Sequence, residues 1–198
     1  MLPRQPWDTS KKIVGELQSS FGYIRRQSWT NPVATDTDRI LNDAIDNSTH
    51  TTFLAQPDFA RTLSLVFSGA GTEVIVVNGT NIRGEVITES VTMNGETPVL
   101  TLKAFKTVTS IVVPDTAGGR TLDVGVTDAL GLDRCMAGNE VLLATAGGVY
   151  ETTRPTVVSH ATDVSKNTID INTALDAAVD VVAVFVSTEK TALNGTSA

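Results

Sequence analysis

Few residues in this chain could do chemistry. The 198 residues include two histidines, His50 and His160, and one cysteine, Cys135. Both histidines lie beside Ser or Thr in loop-like sequence, and neither has metal-ligand spacing. A Ser-His-Asp site is recognised by geometry rather than order, but no Gly-x-Ser-x-Gly elbow is present to present a nucleophile. Cys135 sits in Leu-Gly-Leu-Asp-Arg-Cys-Met-Ala-Gly with no His nearby, which reads as a small buried hydrophobe rather than a nucleophile. A single thiol can form neither an intrachain disulfide nor a zinc site. Glu85 with Glu89, or Glu140 with Glu151, could in principle pair as the two carboxylates of a glycoside hydrolase. A sugar platform is missing, because the sequence after residue 35 has Tyr150 and no Trp. Asp36-Thr37-Asp38 begins like a calcium loop, but Ile40 stands where an oxygen ligand belongs and no Gly turn follows. The glycine pairs at 69–71, 118–119 and 147–148 match no phosphate-binding pattern and read as turns. No enzyme activity, cofactor or metal is therefore expected.

Composition narrows the partner class. Hydrophobic residues make up 41% of the chain and the mean hydropathy is +0.06, enough for a substantial core. The net charge of -7 is uneven: residues 1–35 carry five basic and two acidic side chains, and the rest carries 10 basic and 20 acidic ones. An acidic body is a poor nucleic-acid binder, because phosphate neutralisation needs clustered Lys and Arg. No stretch reaches the roughly 18 apolar residues of a membrane span, and the N-terminus lacks the apolar core of a secretion signal.

Residues 1–35 differ from everything after them. They hold both tryptophans, Phe21 and Tyr23, and Pro3, Pro6 and Pro32 bracket them. Ile13, Leu17, Phe21 and Ile24 recur at spacings of four, four and three, one face of a short helix capped by Thr9 or Ser10. The segment reads as an extended, partly helical arm. Its candidate partner-binding residues are Trp7, Ile13, Leu17, Phe21, Tyr23, Arg25, Arg26 and Trp29, because aromatic anchors and Arg dominate interface energetics.

Residues 36–60 read as a connector, with either a short helix over 38–46 or Ile40, Leu41 and Ile45 tucked in from a loop. From Arg61 the hydrophobic period becomes two. Short runs rich in Val and Thr recur to residue 189, divided by Gly and Asn turns such as Asn94-Gly95. About ten strands are expected, the last over 179–186, whose Val-Val-Ala-Val-Phe-Val is apolar on both faces. The fold class is all-β: an antiparallel β-sandwich or jelly-roll-like barrel over 61–189, preceded by the arm and followed by a frayed tail, 190–198.

Three phrases carry a resemblance: Gln56 to Leu63 (QPDFARTL), Val77-Asn78-Gly79-Thr80-Asn81 through Arg83 to Glu89 (RGEVITE), and Ala104 to Ile111 (AFKTVTSI). Thr127 to Leu132 (TDALGL) extends them. Over residues 36–188 this cadence resembles β-rich virion structural proteins of tailed bacteriophages. The resemblance implies a capsid decoration or cement protein, made in the host cytoplasm and carried on the capsid surface. It would bind the major capsid protein, tie neighbouring capsomers together and act as a homo-oligomer, dimer or trimer. It supplies no catalytic residue. The alternatives are a tail, neck or fibre-attachment component, or a carbohydrate- or receptor-binding module.

Overall fold

The computed structural model describes residues 23–189 except 117, 118, 137, 139 and 177. Its regular structure is strand, apart from one turn of 3-10 helix at Val164–Lys166. The strands are β1 Tyr23–Trp29, β2 Asp36–Ile45, β3 Ser48–His50, β4 Arg61–Phe67, β5 Val74–Thr80, β6 Val86–Thr92 and β7 Val99–Leu100. They continue with β8 Thr107–Val113, β9 Thr121–Gly131, β10 Val141–Ala146, β11 Val149–Tyr150, β12 Thr156–Val158, β13 Thr168–Asp170 and β14 Val181–Ser187. The all-β expectation holds, and every pairing between these strands is antiparallel.

The long strand β9 organises the chain. One edge pairs with β4; the other is shared, with β2 against residues 121–126 and β13 against residues 130–131. This six-stranded sheet also carries β12 and β7. Leu122, Val124 and Val126 of β9 join one core, together with Leu63, Leu65 and Phe67 of β4 and side chains from the sheet β3-β8-β5-β6. Leu130 and the following Leu132 join a second core with Trp29, Ile169, Val181, Ala183 and Phe185, beneath the sheet β1-β14-β10-β11. Leu63, Leu65 and Phe67 thus share one face, as the period of two from Arg61 implies.

Several boundaries differ from the sequence reading for local physical reasons. No helix forms over 38–46. Residues 36–45 are β2, and the pairing with β9 slips twice, between Asp36 and Leu41 and between Leu41 and Ala44. Those irregularities bury Ile40, Leu41 and Ala44, a spacing that imitates a helical face. Gly125 makes room for them: a Cβ there would lie 1.8 Å from the Asp36 carbonyl oxygen. Residues 99–103 do not return against β6. Only Val99–Leu100 is strand, and it pairs with β4. The Asn94-Gly95 turn passes the chain between sheets, its Gly95 carbonyl accepting from the Phe67 amide at 3.2 Å. β5 runs on through Asn78-Gly79 and shifts register there. Leu130-Gly131 ends β9.

A buried ion pair joins the two halves. The Arg61 side chain is fully buried and binds Asp58 through Nε at 2.8 Å and Nη2 at 2.9 Å. Its guanidinium also donates to the Val33 and Thr127 carbonyls at 2.7 and 3.0 Å. Asp58 in turn accepts the Val33 amide at 2.9 Å. The link from β1 to β2, the turn before β4 and the middle of β9 are thereby fixed to one another.

Candidate interaction surface

The expected arm divides at residue 23. Trp7, Ile13, Leu17 and Phe21 lie outside the described residues. Tyr23, Arg25, Arg26 and Trp29 lie in β1, which pairs with β14 over its whole length, from Tyr23 against Ser187 to Trp29 against Val181. This strand is part of the body, so the compositional break at residue 35 is not the structural one. Alternation along β1 then sorts the candidates. Trp29 is 1% exposed and belongs to the second core, so it packs the body rather than meeting a partner. Arg25 is half-buried; its Nη2 donates to the Glu189 carbonyl at 3.0 Å, and its guanidinium stands 5.5 Å from the Tyr23 ring centre. Arg26 is exposed on the opposite face. Ile24, assigned by its spacing to a helical stripe, is a strand residue on that same outward face.

Most of the groups considered for chemistry have defined partners within the chain. Cys135 is 2% exposed, and burial, reinforced by Glu189, pushes its thiol up to about 12. It is therefore protonated at neutral pH. Glu189 is held below the ordinary carboxylate range: its contacts with Cys135 and Arg83 outweigh the opposing effect of burial. His50 Nε2 donates to the Ile45 carbonyl at 2.8 Å, and His160 Nδ1 accepts the Asp163 amide at 3.0 Å. Glu85 accepts from Asn81 at 2.7 Å, while Glu89 accepts the Leu102 and Lys103 amides at 2.7 and 2.9 Å. Among the described residues no group of three His, Cys, Asp or Glu side chains could hold a metal ion. No described helix is long and apolar enough to cross a membrane.

Two of the loops between strands are tied inward. In the 81–85 turn, buried Asn81 accepts the amides of Arg83 and Glu85 at 2.9 and 3.0 Å. Arg83 reaches across to the Asp133 carbonyl at 2.9 Å and pairs with Glu189. The Asn94-Gly95 turn is fixed by Gly95 donating to the Gly71 carbonyl at 2.8 Å.

Exposed apolar side chains lie at several places, among them Val86, Ile45, Leu54 and Leu102, and also on the hairpin of β10 and β11. Gly147 and Gly148 adopt φ values of 56° and 77°, the left-handed pair that a two-residue hairpin turn requires. β10 is irregular between Val141 and Leu143, and this turns Leu142 outward next to Leu143. Leu142 is 56% exposed, Val149 71% and Tyr150 66%. A cleft of about 200 Å³ has Leu142, Leu143, Glu151 and Pro155 among its walls; neither Val149 nor Tyr150 lines it. Tyr150 is the one Tyr or Trp in the sequence after residue 35, and nothing in the sequence marks Leu142 as its exposed neighbour on the same hairpin.

No protein-family model, no curated protein and no solved structure matches this chain.

Proposed function

We propose that this chain is a virion structural protein of the capsid decoration type. It binds the major capsid shell as a homo-oligomer and stabilises the head through protein–protein contacts. The observation that carries the reading is the exposed apolar hairpin: Leu142, Val149 and Tyr150 stand exposed on the two strands at one edge of their sheet. Clustered exposed apolar side chains are a mark of interaction sites, whereas scattered ones are not. The phrases at 56–63, 77–89 and 104–111, with their likeness to tailed-phage virion proteins, supply the class of partner. A weak docking patch suffices for such a role, since many copies on a symmetric shell act together.

The test is co-sedimentation of the purified chain with empty capsid shells from the tailed phage whose genome encodes it. The native chain is expected to pellet with the shells, and Leu142→Ser/Tyr150→Ser to stay in the supernatant with an unchanged circular dichroism spectrum. Failure of the native chain to pellet would overturn the proposal. A truncation for the same assay should end at residue 22, because removing β1 would strip a strand from its sheet.

A further inference from the structure

The outward face of the β3-β8-β5-β6 sheet is built without a charged side chain. Ile75 and Val77 of β5, and Ile87 and Val91 of β6, turn toward the first core. The even-numbered residues of the two strands, at 74–80 and 86–92, therefore turn away from it, and each is Val, Asn, Thr or Ser. β8 adds Thr107, Ser110 and Val112 to this face, and β3 adds Thr49. A solvated surface ordinarily has about 25–35% charged residues. Here the acids Glu73, Glu85 and Asp115 flank the strand ends instead. The face is also ordered in rows. Thr88 Oγ1 donates to Asn78 Oδ1 at 2.7 Å, and Asn78 Nδ2 donates to Ser110 Oγ at 3.0 Å, which links three strands. In the next row the Thr80 and Thr107 hydroxyls are 2.6 Å apart. The strand edge beside the face is occupied, since the Lys103 ammonium binds the Thr88 carbonyl at 2.7 Å.

We infer that a second copy of the chain packs on this face, sheet against sheet. This names the contact of the homo-oligomer proposed above, and it rests on that part of the reading but not on the capsid partner. Two properties select a second copy. The first is charge. In a two-fold contact the same patch serves both copies, so a net charge on the patch meets its own like. This face lets two chains of net charge -7 meet without that cost. A foreign partner that recognised an acidic chain by its charge would set basic groups against carboxylates, and this face offers none. The second is hydrogen bonding. Ser and Thr hydroxyls and the Asn amide both donate and accept, so a face of these groups is complementary to itself. Depletion of charge is also the compositional mark of an interface core. Three strand spacings by six residue steps give a face of about 14 Å by 20 Å. That is smaller than the about 800 Å² that a stable interface covers on each partner. The contact is therefore weak in an isolated pair and gains strength where many copies are arrayed.

The experiment is sedimentation velocity of the full chain, without shells, from about 10 μM to about 1 mM, the range of weak contacts. The native chain is expected to pass from monomer to dimer as concentration rises. Thr88→Lys/Ser90→Lys and Thr88→Glu/Ser90→Glu change exposed positions and should keep the native circular dichroism spectrum. Each should weaken dimerisation by at least about tenfold, because either sign of charge is then buried against its own like. An equimolar mixture of the two at low salt should dimerise more tightly than either alone, a positive face meeting a negative one. A native chain that stays monomeric throughout would overturn the inference and leave the face to a foreign partner or to water. Equal dimerisation by the native chain and both variants would overturn it by placing the contact elsewhere. Leu142→Ser/Tyr150→Ser should dimerise as the native chain does, which separates this contact from the hairpin. A chain that dimerises but does not pellet with shells would overturn the capsid reading alone. One that pellets but stays monomeric in solution would overturn this inference alone.

Discussion

Replacing Arg61 with Ala should destabilise the fold more than removing any other charged side chain named above. The side chain is 0% exposed, and its partner Asp58 is 16% exposed. Removal leaves the Asp58 carboxylate without its counter-charge and the Val33 and Thr127 carbonyls without a donor. Burial lowers the affinity of the guanidinium for its proton and Asp58 opposes that, so the pair persists only as a pair. Breaking one partner of a buried ion pair costs about 3–5 kcal/mol. At about 2–4 °C per kcal/mol for a domain of this size, Tm should fall by roughly 6–20 °C. The comparison is Arg83→Ala: Arg83 and Glu189 are each about one-third exposed, and such a pair is worth about 0–1 kcal/mol. Thermal and urea denaturation of both variants, with Asp58→Ala and the double variant, would measure this. The double variant should lose clearly less than the sum of the singles, because each single leaves the other charge buried alone. An Arg61→Ala variant within about 1 kcal/mol of the native chain would refute the reasoning.

Further outcomes follow from other contacts. Gly125→Ala forces a Cβ against the Asp36 carbonyl and the Thr37 backbone, so it should cost at least the about 1–3 kcal/mol of overpacking, read as a lower urea midpoint. Asp46 accepts the Thr116 amide at 3.1 Å and hydroxyl at 2.6 Å, which hold its carboxyl below the ordinary value. That stabilisation is present above the unfolded carboxylate pKa and is lost as pH falls through the lowered folded pKa. Asp46→Asn should therefore lower Tm at pH 7, with the difference closing in strong acid. Asp170 behaves oppositely: burial, then the charge of Asp128, raises its pKa. Asp170→Asn should raise Tm at pH 7, and the gain should vanish below the ordinary carboxylate range. The buried, protonated Cys135 should react slowly with a thiol reagent in the native chain and rapidly in urea.

The all-β class was legible because Val, Thr and Gly turns set a period of two from Arg61 onward. The parts that were not legible share one cause: irregular pairing. In β2 two register shifts against β9 convert alternation into the i, i+1, i+4 burial of Ile40, Leu41 and Ala44, which imitates a helix. The composition of residues 1–35 suggested a separate arm, yet Tyr23–Trp29 alternates too. Its two arginines and its Trp obscured the strand, since Arg25 reaches a carbonyl and Trp29 fills the core. The last strand was read as apolar on both faces. One face is buried in the second core, and Val182, Val184 and Val186 on the other are half-buried. The candidate hairpin was least visible, because the irregularity at 141–143 that leaves Leu142 exposed and the two-residue turn before Val149 and Tyr150 leave no mark in a period-two pattern.

Counting this chain by quantitative mass spectrometry in purified, mature phage particles tests the virion proposal most directly. The account predicts a copy number of the same order as the major capsid subunit, lowered when the Leu142→Ser/Tyr150→Ser variant replaces the native chain. Absence from the particle, or a handful of copies confined to neck or tail, would contradict it.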